Sequence, residues 1–156
     1  MSDDSLETYL NDHLAGSVSA IQMLERAVDD HAGTPLGMQL ADLLAAIRAA
    51  QEELRSVMQR LGYAESPVKK AGAWLAQHAG RLKVGGSDES DLARFELFEA
   101  LTLGLQGQWK LWRALRAVAA KHPPLEGIDL ARLERQSREQ HDLVESWRLA
   151  AAEAAL

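Results

Sequence analysis

Cysteine is missing from all 156 residues, and disulfides, iron–sulfur clusters, thiolate zinc sites and cysteine nucleophiles are excluded with it. Such a composition suits a reducing compartment. Aromatic side chains are scarce: Trp74, Trp109, Trp112, Trp147, Tyr9, Tyr63, Phe95 and Phe98 are all of them. A core must therefore come from Leu, Ala, Val, Ile and Met, a set weighted towards helix formers. Long hydrophobic runs are also lacking. The most apolar region, residues 97–120, is broken by Glu99, Lys110, Arg113 and Arg116 and does not supply the ~20 uninterrupted apolar residues of a membrane span. Positive charge is in deficit, with 17 Lys and Arg against 23 Asp and Glu, so nucleic acid is not expected as the main ligand. The acidic start Met1-Ser2-Asp3-Asp4-Ser5 has neither the basic residues nor the apolar run of a signal peptide, and a cytoplasmic location is expected.

What is present is helical periodicity. Asp4 and Glu7 have the spacing of a capping box and open a first helix over about 5–31, with Leu10, Leu14, Ser17, Ile21, Leu24 and Val28 on one face. Ala32-Gly33-Thr34-Pro35 stops it; Thr34 is placed to cap the next helix and Pro35 to sit in its first turn. Leu36, Leu40, Leu43, Ile47, Ala50, Leu54, Val57 and Leu61 keep the same four–three rhythm over 35–61, and Gly62 ends the run. Two such helices, each about 40 Å long at 1.5 Å per residue and joined by a tight connection, form an antiparallel hairpin.

A long detour follows, with a short helix expected over about 67–82, before a third long helix over 90–121 and a fourth over 129–154 capped by Asp129. The third carries two apolar stripes. One is Leu97, Leu101, Gly104, Leu111, Leu115 and Val118; the other, Phe95, Phe98, Leu105, Trp109 and Trp112, is available for a second covering element or another subunit. Gly104 and Gly107 cost up to ~1 kcal/mol each inside a helix, so close packing against them is expected. The fourth helix aligns Leu130, Leu133, Ser137, Gln140, Val144, Trp147, Ala151 and Ala154.

Two hairpins joined by a long crossover have the connectivity of ferritin-like bundles. The run Leu10-Asn11-Asp12-His13-Leu14-Ala15-Gly16-Ser17-Val18-Ser19-Ala20 resembles the opening of the first helix in that superfamily, with Ser17 at the place of a metal-binding Glu. The resemblance implies one all-α, ferritin-like four-helix bundle spanning 1–156, with a short extra helix in the crossover. It also implies where two metals would sit, held by a Glu from each of two helices and Glu-x-x-His from the other two. Those ligands are missing. The inward pair of the second helix is Ile47 and Ala50, and that of the fourth is Ser137 and Gln140; His141 has Arg138, not Glu, three residues before it.

His13, Ser17, Ser137, Gln140 and His141 form the candidate polar layer of the core. It reads as a hydrogen-bonded layer fixing helix register, or as a site for a small ligand or single metal. The basic segment with Lys69, Lys70, Arg81 and Lys83 reads as a crossover helix whose charges face solvent, or as a surface for membranes or acidic partners. No nucleophile constellation, phosphate loop or calcium loop occurs in recognisable spacing. No catalytic residue and no cofactor are assigned. The expected role is a metal-free structural or interaction module forming a homodimer or other homo-oligomer through Phe98, Leu105, Trp109 and Trp112. The alternative is a metal-binding protein or oxidoreductase with an altered site around His13, Glu99 and His141.

Overall fold

The structure, a computed structural model, describes residues 2–66 and 90–156. Among these residues the fold is all-α: four α-helices and two short 3-10 segments, with no strand. The helices are α1 (Ser2–Asp30), α2 (Pro35–Leu61), α3 (Asp91–Val118) and α4 (Leu130–Ala155). They fall into two compact units, α1 and α2 with the 119–128 link, and α3 with α4. The short helix expected over 67–82 lies outside the described residues. None of the described helices is long and apolar enough to cross a membrane.

In the first unit, Thr34 Oγ1 accepts the Gly37 amide at 3.0 Å, which satisfies a free N–H at the start of α2 just after the proline. At the other end Gly62 takes a left-handed conformation (φ +75°), and the Tyr63 amide closes back on the Met58 carbonyl at 3.0 Å. A side chain with Cβ is disfavoured in that conformation, which is why glycine ends the helix. Contacts between Glu25 and Arg48, Ser17 and Gln51, and Asn11 and Ala64 run in opposite senses along the two helices, so the hairpin is antiparallel. Its apolar face includes Leu10, Leu24, Leu40, Leu54 and Val57, all buried. Each such side chain contributes about 1.5–3 kcal/mol through removal from water. Asn11 ties down the chain after α2: its amide donates to the Ala64 carbonyl at 3.1 Å and its oxygen accepts the Ser66 amide at 2.8 Å. Leu125 of the link is buried in this unit, and Arg60 reaches the Glu126 carbonyl at 3.4 Å.

α1 begins at Ser2, so Asp4 stands inside the helix rather than before it. The helix expected over 90–121 ends as an α-helix at Val118 and tightens into a 3-10 turn, Ala119–Lys121, ahead of Pro123 and Pro124.

The second unit is also an antiparallel hairpin, with Arg116 paired to Glu134, Trp109 beside His141, and Phe98 against Trp147. Asp129 caps α4 by accepting the Arg132 amide at 3.0 Å. The two stripes expected on α3 merge into one buried face of Leu97, Phe98, Leu101, Leu105, Leu111, Trp112 and Leu115. This corrects the expected association surface. Phe98, Leu105 and Trp112 are only 3%, 1% and 1% exposed, and Trp109 is half-buried, so three of the four proposed contact residues are already covered within one chain.

Gly104 is exposed rather than inward, and a Cβ built at Gly104 or Gly107 meets no described atom within 4 Å. The expected close packing at these glycines is absent among the described residues. Gly104→Ala is accordingly expected to raise stability by about 0.5–1 kcal/mol through helix propensity and the lower entropy of the unfolded chain, measurable by denaturant titration.

Candidate functional site

The polar-layer residues divide between the units. His13 and Ser17 lie on α1; Ser137, Gln140 and His141 lie on α4.

On α1, Ser17 Oγ donates back to the Leu14 carbonyl at 2.6 Å and accepts from Gln51 Nε2 at 2.9 Å. Gln51 Oε1 in turn accepts from Arg55 at 3.0 Å, and Arg55 binds Glu52 and Glu65 at 2.8 and 3.0 Å. The partner of Ser17 on α2 is therefore Gln51, which the sequence pattern passed over in favour of its neighbour Ala50. This uncharged pair is satisfied by the protein itself. Beside it Ile47 is buried. His13 packs edge-on against Tyr9, ring centroids 4.6 Å apart, and burial pushes its pKa below the ordinary 6.5, with only partial opposition from Asp12.

On α4, Ser137 is 1% exposed. Gln140 Oε1 is buried and forms no hydrogen bond among the described residues. His141 Nδ1 lies 3.1 Å from Asp142, and its ring is 6.1 Å from that of Trp109. Glu99 is committed elsewhere: it meets Arg148 at 3.4 Å on an exposed edge, where Arg148 also forks onto Glu145 with two 2.7 Å bonds and lies over Phe95. The Arg148 hydrogen bonds hold the Glu145 carboxyl below its ordinary value. Among the described residues no three His, Asp or Glu side chains are grouped so as to hold a metal ion.

The most concentrated chemistry in the second unit lies on residues that the sequence pattern did not single out. Arg113, Arg116 and Ala117 of α3 and Glu134 and Arg138 of α4 line a cleft of about 430 Å³. Glu134 is buried, its side chain 10% exposed, and accepts a hydrogen bond from the half-exposed Arg116. That hydrogen bond is the main cause holding the Glu134 carboxyl below its ordinary 4.5, against the opposing effect of burial; Trp109 and Arg113 add to it. The Trp109 indole N–H contributes from outside ordinary hydrogen-bond geometry and remains a buried donor with no formed bond. Arg138 lies over the Trp109 ring, 4.7 Å from its centroid. A signal for this cleft did exist in the sequence: Lys110, Arg113 and Arg116 recur every three residues on one helix, and Arg132, Arg135 and Arg138 on the next.

Arg116→Met is expected to cost about 1–2 kcal/mol, because it strips a buried carboxylate of its main donor while solvent around the half-exposed arginine limits the loss. The pH dependence has a definite sign. A carboxyl whose folded pKa is depressed stabilises the fold above its unfolded value near 4.5, and that contribution disappears as pH falls through the folded value. The difference between wild type and Arg116→Met in denaturant titrations should thus be full at neutral pH and shrink below pH 4.5.

Comparison with protein-family models, curated proteins and solved structures gives no match for this chain.

Proposed function

We propose that the chain is a metal-free helical module of ferritin-like connectivity, a single bundle of two hairpins that serves a structural or interaction role in the cytoplasm and self-associates. The observation that carries this reading is the Ser17–Gln51 pair. In a di-metal bundle the equivalent level of the first two helices holds carboxylates. Here it holds two neutral side chains that satisfy each other, next to a buried isoleucine. Polar pairs of this kind fix helix register, and both Ser17 Oγ and Gln51 Oε1 already accept hydrogen bonds from within the chain. The crossover helix belongs to the same proposal, as does self-association, whose contact must use residues other than the covered Phe98, Leu105 and Trp112.

Light scattering across a dilution series tests the association: a mass above 17.1 kDa that falls on dilution is expected, and a constant monomer mass overturns that part. Spin-label distances test the connectivity. The absence of cysteine allows single labels to be placed on α1 and α3 without background. Narrow distance distributions are expected for one bundle, and broad ones would mean two hairpins moving independently.

A further inference from the structure

We propose that the arginine cleft of the α3–α4 hairpin binds a phosphoryl group, free or carried on a larger molecule. The site stands on this hairpin alone and is independent of the ferritin-like reading. Its first support is local charge. In a chain of net charge −6, the cleft lining contains three guanidinium groups and one carboxylate, an excess of two positive charges. A phosphate monoester carries about −1.5 to −2 at neutral pH and matches that excess. Two of the three arginines have no anionic partner in hand: among the described residues neither Arg113 nor Arg138 is held in a hydrogen bond or ion pair, although Arg113 feels the charge of Glu134.

The second support is that the cationic groups are held in place before any ligand arrives. The buried Glu134 engages one nitrogen of Arg116 and leaves the remaining donors of that half-exposed guanidinium available. The Trp109 face beneath Arg138 restrains the plane of its guanidinium while its N–H edges stay free. Restraint of this kind reduces the ordering cost of binding. Glu134 thus acts as a positioning residue, and its low pKa keeps it a hydrogen-bond acceptor for Arg116 at neutral pH. Ligand class follows from the walls. Apart from Ala117 every lining residue is charged, and the guanidinium groups supply planar N–H donors that match the oxygens of a compact oxyanion. An adjoining cleft of about 520 Å³, which shares Arg116, Glu134 and Arg138 and adds Arg135 with Glu139 and Asp142, is less cationic and leaves room for whatever carries the group.

Calorimetric titration of the full chain with inorganic phosphate, O-phosphoserine and succinate tests the proposal. Saturable binding of both phosphorylated probes is expected with Kd about 0.1–1 mM at low salt, weakening as salt is added. Succinate, a dicarboxylate of similar charge, should bind at least about ten-fold more weakly. Tighter binding of phosphoserine than of phosphate identifies a carried group, and equal binding identifies the free anion. Arg113→Gln and Arg138→Gln should each weaken binding about ten-fold, whereas Arg26→Gln, an exposed arginine of the other hairpin, should leave it within about two-fold. All three replaced residues are exposed, so the fold should survive, as circular dichroism will verify. Binding should also change tryptophan fluorescence in the parent chain and not in Trp109→Phe. Absence of saturable binding up to about 10 mM of either phosphorylated probe overturns the proposal. So does equal affinity for succinate, or affinity unchanged in Arg113→Gln and Arg138→Gln.

Discussion

Trp112→Ala is expected to lower the stability of the chain by about 3–5 kcal/mol, the range for removing a large aromatic side chain from a closed core. Trp112 is 1% exposed, on the buried face of α3 with Leu105, Leu111 and Leu115. The loss combines the transfer of the indole to water with the cavity left behind. A second substitution separates ring from polar edge. Trp112 Nε1 is buried with no hydrogen-bond partner among the described residues. Trp112→Phe keeps most of the apolar ring and removes this unsatisfied donor, whose burial costs about 1–3 kcal/mol. The phenylalanine variant should therefore lose less than about 1.5 kcal/mol despite its smaller volume. Denaturant titration followed by circular dichroism reads both effects. Were Trp112 an exposed association contact, the alanine variant would instead change the mass in solution and leave the unfolding of the monomer nearly unaltered.

The second large effect is at Gly37, where two principles oppose each other. Gly37 occupies the first turn of α2, and helix propensity alone gives alanine an advantage of up to ~1 kcal/mol. Geometry reverses the sign. A Cβ on Gly37 would collide with the carbonyl oxygen of His31 and lie 2.8 Å from its carbonyl carbon, both backbone atoms of the turn between α1 and α2. The same His31 carbonyl accepts from Thr34 Oγ1 at 2.6 Å and from the Thr34 amide at 3.1 Å, so moving it disturbs the cap as well. Overpacking against backbone costs about 1–3 kcal/mol in general, and Gly37→Ala is expected near the upper end, about 2–3 kcal/mol net. Thermal unfolding of Gly37→Ala beside Gly104→Ala makes the contrast explicit: the same substitution should destabilise in a crowded turn and stabilise on an open helix face.

These pairs also show which parts of the fold were legible in the sequence. The helix ends could be read from local chemistry, because Thr34, Gly62 and Asp129 act on backbone groups within a few residues of themselves. The long helices followed from apolar spacing for the same reason. Errors arose at single positions within those rhythms. In the middle of α2 the buried residue is Gln51 rather than its neighbour Ala50, and in the middle of α3 it is Leu105 rather than Gly104, although later residues of the same rhythms, Leu54, Val57, Leu111 and Leu115, are buried as expected. A glutamine gives no apolar signal and a glycine has no side chain to bury, so apolar spacing missed the first and misplaced the second.

The arginine cleft was hidden for a different reason. Its residues are visible singly, every three positions along two helices, but the register that brings Arg116 to Glu134 and Arg138 over Trp109 arises only when α3 and α4 pair. A carboxylate at a buried helix position gives no sign in the sequence of the cation that will compensate it eighteen residues away.

The central proposal is that the Ser17–Gln51 pair, hydrogen-bonded within the first hairpin, stands where a di-metal bundle would hold carboxylates, and that the chain holds no catalytic metal. Elemental analysis of the chain purified without chelators, then exposed to iron, manganese or zinc and desalted, tests it most directly. Substoichiometric metal is expected, unchanged between the parent chain and a His13→Ala, Glu99→Gln double variant. One or more tightly held ions per chain, lost in that double variant, would contradict the account.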